Sequence, residues 1–242
     1  MKYARAGNPE TPWVDRMSTY RIFTQGAGLL AGLLLGSAAW SGTFSDDFNA
    51  GASSYWENNS GNWSATGGVY SATDPANFPS AASALPWVLD DFTLEFDIND
   101  VQDGGVWLRS SESAGSIGRV GVLLVTGVSG GLYWHVVTDG SNYGSSLNFV
   151  GGLFNAGSTD SHFKVEVSGS TYSVYLNGAT DAVSVLDTGA FASGQVALYD
   201  FSGQTFDNVS LTGAGVTPVP EPETWLMLLA GLGLLGITSR RR

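Results

Sequence analysis

Alternating apolar and polar residues run through the middle of this chain, and this pattern restricts the fold more than any other feature. In residues 92–98 every second residue is apolar, so a strand there would have one buried side and one solvent-facing side. Residues 163–167 and 171–176 alternate in the same way. Asn177-Gly178 then favours a type I′ hairpin turn, because both residues tolerate positive φ. The pattern predicts an all-β protein.

The composition agrees with a sandwich of many short strands. Further strands are expected at residues 105–109, 120–125, 132–138, 195–200 and 205–211, separated by Gly, Ser, Asn and Asp. The 33 glycines among 242 residues suit tight turns, and the 12% of aromatic residues can fill a core. We therefore expect one antiparallel β-sandwich in residues 40–213, with no internal repeat.

Charge and cysteine content exclude several classes of protein. Of 22 acidic residues four lie near the chain ends, which leaves 18 between Trp40 and Thr217. Against these 18 stand three basic residues, Arg109, Arg119 and Lys164, so the body carries a net charge of −15. Nucleic-acid phosphates need clustered basic residues, so nucleic acid is not an expected partner. With no cysteine, disulfides, thiolate metal sites and cysteine nucleophiles are excluded.

The first 39 residues have the layout of a secretory signal peptide. Two arginines precede an uncharged apolar run at residues 26–35, and small residues follow at 37–39, which predicts signal-peptidase cleavage after Ala39. The apolar run is shorter than the about 20 residues of a membrane span. Residues 1–16 are polar and proline-containing, so we interpret them as an over-extended gene start before Met17.

Residues 214–242 hold the most specific motif of the chain. A proline-rich spacer is predicted at residues 214–223, because proline fixes φ and favours an extended chain. An apolar run at residues 226–237 predicts a transmembrane helix within residues 224–242, and the arginines after it would stay on the cytoplasmic side. The motif residues are Val219, Pro220, Glu221, Pro222, Trp225, Arg240, Arg241 and Arg242.

In order and spacing these residues resemble the PEP-CTERM sorting signal. The resemblance implies that signal peptidase and an exosortase, a membrane-embedded protease-transpeptidase of Gram-negative bacteria that make exopolysaccharide, process the chain during export. It implies a transient inner-membrane anchor through the C-terminal helix, processing near residues 220–222, and release to the cell surface or biofilm matrix. A permanent tail anchor is the alternative, because the apolar helix alone would support it equally.

Several segments of the acidic body carry a second resemblance. They are residues 92–98, the Gly-Gly-Val-Trp-Leu-Arg run at 104–109, the paired strands at 162–178, the Gly-Gln-Val-Ala-Leu-Tyr run at 194–199, and the opening and closing segments 44–48 and 206–209. Together they resemble the concanavalin A-like jelly roll of the laminin-G and lectin/glucanase superfamily, in which the first and last strands pair. The resemblance implies a fold and no single function, because this fold includes lectins, glycosidases, adhesion modules and spacers.

Glu95 and Asp97 are the candidate catalytic residues, because they resemble the Glu-x-Asp-x-x-Glu strand of laminarinase-like glycosidases. A retaining enzyme needs two carboxyls about 5–5.5 Å apart, and residues two apart on a strand share one face at roughly 6.6 Å. The third position is Asp100 instead of Glu, and its odd offset puts it on the other face unless a bulge intervenes. Polar alternation on a solvent-facing sheet explains Glu95 and Asp97 without catalysis.

A structural Ca²⁺ ion is a further expectation, because this ion prefers oxygen donors. The candidate ligands are Asp46, Asp47, Asp207 and Asn208, which would converge if the first and last strands pair. Loop carboxylates at Asp90, Asp91, Asp100 and Asp103 can also coordinate. Turn chemistry is the alternative, because aspartate side chains in turns accept hydrogen bonds from nearby backbone amides.

Aromatic residues are candidates for stacking on sugar rings. The seven candidates are Trp56, Trp63, Trp87, Trp107, Tyr133, Trp134 and Tyr143. Trp56 and Trp63 flank a polar stretch and are the preferred ligand-binding residues, while core packing is the alternative for all seven. Tyr133 and Trp134 are adjacent, so in a strand they must point to opposite faces.

The sequence thus supports three hypotheses for an exported protein. In the first, a non-catalytic lectin-like sandwich binds extracellular polysaccharide. In the second, the sandwich is a laminarinase-like glycoside hydrolase that uses Glu95 and Asp97. In the third, it is an inert structural matrix protein whose acidic surface keeps it soluble.

Overall fold

The computed structural model describes residues 41–127, 130–154 and 161–217, and its regular structure consists of strands. In chain order these are β1 (Ser41–Asp46), β2 (Trp63–Thr66), β3 (Val69–Ala72), β4 (Ala81–Ala84), β5 (Phe92–Asp100), β6 (Gly104–Glu112), β7 (Arg119–Gly127), β8 (Gly131–Val137), β9 (Leu147–Val150), β10 (Ser161–Ser168), β11 (Thr171–Leu176), β12 (Ser184–Asp187), β13 (Gln195–Asp200) and β14 (Thr205–Ala214). The predicted all-β class is confirmed.

Several sequence-based expectations fall outside the described residues. These are the signal peptide at 1–39, most of the spacer at 214–223, and the helix at 224–242. The sorting-motif residues outside the described part are Val219, Pro220, Glu221, Pro222, Trp225, Arg240, Arg241 and Arg242. Within the described ranges, no helix is long and apolar enough to cross a membrane.

The strands form two antiparallel sheets that pack face to face. The eight-stranded sheet has the order β12-β11-β10-β5-β14-β3-β2, and β1 also pairs with β14. The six-stranded sheet has the order β4-β13-β6-β7-β8-β9. This arrangement confirms the predicted antiparallel β-sandwich.

Strand β14 brings the two ends of the described body together. On one side it pairs with β5, and on its other side it pairs with β1 along its C-terminal half and with β3 through Phe206 and Tyr70. The register sets Ser41 opposite Ala214. The predicted pairing of the first and last strands is therefore confirmed, and the first residue of β1 lies beside the last residue of β14.

The main core fills the space between the sheets. On β5, Leu94, Phe96 and Ile98 are fully buried while the residues between them are partly exposed, as the alternation predicts. Phe96 stacks on Phe163 of β10 with ring centroids 5.2 Å apart, and Trp134 enters the same core from the six-stranded sheet. Burying each such side chain contributes roughly 1.5–3 kcal/mol to stability.

A second apolar layer covers the outer face of the six-stranded sheet. Trp107, Leu123, Val125 and Tyr199 belong to this layer, while their neighbours along the same strands enter the main core. Strands β6 and β7 are therefore buried on both faces, which explains their nearly continuous burial. The segment before β4 packs over the layer, where the Trp107 Nε1–H donates to the Ser80 Oγ at 3.2 Å.

Candidate functional site

Glu95 and Asp97 lie on the solvent-facing side of the eight-stranded sheet, on either side of an imidazole. His162 of β10 is directly opposite Asp97, with Nδ1 2.7 Å from its Oδ1 and Nε2 3.4 Å from the Glu95 Oε2. The Asn208 amide donates to the other Asp97 oxygen at 2.8 Å. Two hydrogen bonds thus hold the Asp97 carboxylate in place, while the Glu95 carboxylate lies beside the imidazole. The hydrolase hypothesis stays a prediction.

The predicted calcium ligands do not form a metal site. One Asp46 oxygen accepts from the Phe48 N–H at 3.0 Å, and the other accepts from the Ser53 N–H at 2.8 Å and the Trp56 Nε1–H at 2.9 Å. Asp207 accepts the backbone N–H of Asn208, and Asp47 accepts that of Asn49. No group of three or more carboxylates or imidazoles that could hold a metal ion occurs in the described ranges. These aspartates instead accept hydrogen bonds from nearby backbone amides, which was the alternative to a calcium site.

The two preferred sugar-stacking residues are buried, which corrects that expectation. Trp56 and Trp63 are 7% and 6% exposed, and both pack against Tyr70 with ring centroids 5.5 and 5.2 Å apart. The Trp63 Nε1–H donates to the Ser60 carbonyl at 2.9 Å. Their ring faces are occupied by the core, so neither can stack on a ligand.

A pocket on the outer face of the six-stranded sheet gathers the polar and aromatic groups best placed to hold a ligand. Its volume is about 90 Å³, roughly that of three water molecules in the liquid. The lining residues are Asn77, Asp103, Leu123, Val125, Tyr133, His135, Tyr143 and Tyr199. Tyr133 and Tyr143 are among the seven aromatic candidates, and Asp103 is among the loop carboxylates. Asn77, His135 and Tyr199 carry no sequence signal that distinguishes them from ordinary sandwich residues.

Alternation along β8 aims two side chains into this pocket. Tyr133 and His135 face the pocket, whereas Trp134 between them is fully buried in the main core, as adjacency on a strand requires. Gly131 precedes them on the same face and has no side chain. A Cβ at that position would lie 2.6 Å from the Phe149 Cε2, so glycine leaves the space in which the Phe149 ring rests.

Two exposed aromatic rings lie beside tyrosines of the pocket lining, and we call these two rings the rim. Phe78 and Phe149 are both 61% exposed. The Phe78 ring lies 5.7 Å from that of Tyr143, and the Phe149 ring lies 6.4 Å from that of Tyr133. The segment that carries Phe78 is fixed to the pocket, because the Tyr143 hydroxyl donates to the Asn77 carbonyl at 2.9 Å. Two exposed apolar rings therefore lie within 6.4 Å of tyrosine rings that line the pocket.

Burial shifts the pKa of the ionisable groups in the pocket. Desolvation raises the pKa of the Asp103 carboxyl above its usual 3.8, and it lowers the pKa of the His135 imidazole below 6.5, so this histidine is neutral at pH 7. Desolvation also raises the pKa of Tyr143 to about 12 and raises that of Tyr199. The pocket thus combines neutral rings and hydroxyls with one carboxyl among its described lining residues.

Comparison with known proteins identifies the C-terminal motif. Residues 218–242 match the family model of the PEP-CTERM protein-sorting motif. No curated protein matches the chain. The motif indicates export and transient membrane anchoring through the C terminus.

Solved structures share the fold of the body at low sequence identity. The carbohydrate-binding module CBM66 from Bacillus subtilis has a TM-score of 0.53 and 20% identity, over 64% of this chain and 94% of the module. The Ca²⁺/Man2-bound exoplasmic/lumenal domain of VIP36 has a TM-score of 0.50 and 12% identity, over 75% and 91%. A Bacillus subtilis protein of unknown function with a galectin-like fold has a TM-score of 0.50 and 5% identity, over 72% and 90%. The chain therefore carries a PEP-CTERM sorting motif beside a body with the fold of lectin-like and carbohydrate-binding domains.

Proposed function

We propose that this protein binds extracellular polysaccharide through the pocket on the outer face of its six-stranded sheet. It does so at the cell surface or in the biofilm matrix of a Gram-negative bacterium, after signal peptidase and an exosortase have processed it. The sorting motif supports the export part of this proposal. The polysaccharide-binding part of the proposal depends on the pocket.

The aromatic frame of the pocket is the observation that carries the proposal. Aromatic rings offer apolar faces, and tyrosine adds a polar hydroxyl. This combination suits sugars, which present C–H groups on their ring faces and hydroxyls at their edges. Phe78 and Phe149 expose apolar faces at the rim, while Tyr133, Tyr143 and Asp103 supply polar groups inside. Binding sites generally combine apolar walls with a few convergent polar groups in this way.

The structural neighbours agree with this class of ligand. One is a carbohydrate-binding module, and another is the VIP36 domain in its Ca²⁺/Man2-bound form. These neighbours resemble this chain in fold alone. The location of the proposed binding site therefore rests on this chain's own residues.

We propose that the pocket binds its ligand without cleaving it. Glycosidases use two carboxyl groups that flank the scissile bond. Asp103 is the one carboxyl among the described residues that line the pocket. Glu95 and Asp97 lie on the other sheet, so a hydrolase that used them would need a second site. Unchanged turnover of β-glucans in a Glu95→Gln variant would remove that alternative.

Binding of polysaccharides to the full-length chain in detergent, with matched tyrosine variants, tests the proposal. Tyr133→Ala removes a pocket wall, and we expect affinity to fall about tenfold or more, which corresponds to 1.4 kcal/mol. Tyr175→Ala is the control, because Tyr175 is a partly exposed tyrosine on the outer face of the eight-stranded sheet. Equal losses in the two variants, or no binding by the parent protein, would contradict the proposal.

Calcium is tested in the same experiment. We expect polysaccharide binding to persist in EDTA, because the described lining of the pocket contains a single carboxyl. A structural Ca²⁺ ion elsewhere in the domain would appear as a lower unfolding temperature after EDTA treatment, with affinity per folded molecule unchanged.

A further inference from the structure

Asp103 is a partly buried carboxylate for which the described residues provide no side-chain partner. Its backbone is fixed, since its N–H donates to the Ser202 Oγ at 2.8 Å and its carbonyl accepts from the Phe201 N–H at 3.0 Å. Burial alone raises the pKa of its carboxyl, with no opposing hydrogen bond. Because no described side chain pairs with this carboxylate, a ligand that brings a positive charge would gain a charge-assisted hydrogen bond here without displacing a partner.

Three tyrosines line the same pocket as this carboxylate. Burial is the main cause that raises the pKa of Tyr133, Tyr143 and Tyr199, and the negative charge of Asp103 raises each of them further. The Asp103 charge therefore acts across the whole pocket. Aromatic rings attract cations to their faces, and recognition of ammonium groups commonly uses a cage of such rings. A pocket of about 90 Å³ can hold a small head group of this kind.

The basic residues of the body are not available to attract an acidic ligand. Arg109 and Arg119 are 3% and 2% exposed, and the Lys164 Nζ lies 2.7 Å from the Glu166 Oε1 on the eight-stranded sheet. None of these three cations lines the pocket. An acidic body with buried or paired cations repels anions and raises the local concentration of cations near its surface.

We propose that the pocket recognises a protonated amine, so that its ligand is an amine-bearing sugar polymer in preference to a neutral or an acidic one. This inference rests on the proposed function and adds the charge class of the ligand. The ammonium group pairs with Asp103 inside the tyrosine walls, while the sugar ring lies against the exposed rings at the rim.

Three oligosaccharides of equal length test the inference with the full-length chain in detergent at pH 6. The probes are a deacetylated glucosamine oligomer, its fully N-acetylated counterpart and an oligouronate. We expect the amine-bearing oligomer to bind at least tenfold more tightly than the N-acetylated one, and the oligouronate to bind least. Equal or tighter binding of either other probe would overturn the inference while leaving carbohydrate binding intact. Failure of all three to bind would overturn both the inference and the proposed function.

A matched pair of variants assigns the effect to one carboxylate. Asp103→Asn should abolish the preference for the amine, so that the deacetylated and N-acetylated oligomers bind with affinities within about twofold of each other. Asp100→Asn removes the same charge three residues earlier, at a side chain that accepts from the Gln102 amide at 3.1 Å, and it should keep the preference. Loss of the preference in both variants would indicate a general effect of net charge and contradict a site at Asp103. Circular dichroism spectra that match the parent protein establish that both variants are folded.

Discussion

At the scale of single residues, burial decides what each charged side chain does in this protein. Arg109 is almost fully buried, and its guanidinium donates to the carbonyls of Asp90, Gly169 and Phe191 at 2.7, 2.7 and 3.0 Å, with Asp91 at 3.2 Å. These bonds join the loops at one end of the sandwich and offset the cost of burying the charge. Asp103 has no such partners in the described part of the chain, which leaves it available to a ligand.

The pH dependence of stability tests this description of Asp103. Because burial raises its folded-state pKa above 3.8, the folded protein holds the proton more tightly than the unfolded chain. The stabilising contribution of this group is complete below pH 3.8 and is lost as the pH rises through the folded-state pKa. We therefore expect Asp103→Asn to unfold at a higher urea concentration than the parent protein at pH 7, and the difference to disappear at pH 3.

A destabilised Asp103→Asn variant at pH 7 would show that the carboxylate has a favourable partner in the free protein. Asp100→Asn is again the matched control. Its carboxylate accepts a hydrogen bond from Gln102, so this variant should gain no stability at pH 7.

At the scale of strands, alternation determines which side chains reach the pocket. Strands β5, β10 and β11 alternate clearly, and the sequence predicts them closely. The four-residue strands β2, β3, β4, β9 and β12 escape prediction, because a run that short carries too little periodicity. Strand β9 nevertheless positions Phe149 at the rim, so part of the site lies on an element that only the tertiary structure reveals.

Gly131 of β8 lies against the Phe149 ring, so replacing this glycine with alanine tests the role of Phe149. In Gly131→Ala the new Cβ would lie 2.6 Å from the Phe149 Cε2 and 3.0 Å from the Val150 carbonyl oxygen, so the ring must move away and the backbone of β9 must shift slightly. Because Phe149 is an exposed side chain, we expect a small loss of stability and a several-fold loss of affinity for the ligand. Isothermal titration calorimetry measures the affinity and urea unfolding measures the stability.

Gly189→Ala serves as the control for this substitution. A Cβ at Gly189 meets no atom within 4 Å, and this glycine does not have a positive φ. Affinity that falls equally in both variants, or that stays unchanged in Gly131→Ala, would show that Phe149 has no part in binding.

At the scale of the whole molecule, Asp103 of the pocket lies at the opposite end of the sandwich from Ser41 and Ala214. Ser41 pairs with Ala214 at the last residue of β14, whereas Asp103 follows β5 where Asp100 pairs with Thr205, the first residue of β14. A strand of ten residues spans about 30 Å. The sorting motif begins just after Thr217, so the pocket lies away from the point where the tail leaves the body.

This separation predicts that the tail does not block the site. We expect the full-length chain in lipid vesicles and a chain that stops at Thr217 to bind the same oligosaccharide within about twofold of each other. Surface-immobilised vesicles permit the measurement, and vesicles without protein provide the background. A tail-free chain that binds much more tightly would show that the pocket opens only after release.

The sequence by itself determined the all-β class and the sorting motif. These two follow from local patterns: side-chain alternation, turn residues, and an ordered run of proline, tryptophan, apolar residues and arginine. The pairing of the first and last strands was implied by the resemblance to the jelly roll. Only the tertiary structure decided which aromatic residues are free to bind. Trp56 and Trp63 look exposed beside a polar stretch but pack against Tyr70, while Tyr133 and Asp103 meet in a pocket although they lie on different elements. Alternation shows that a strand has two faces, and the packing of the second apolar layer decides which groups on the outer face remain open.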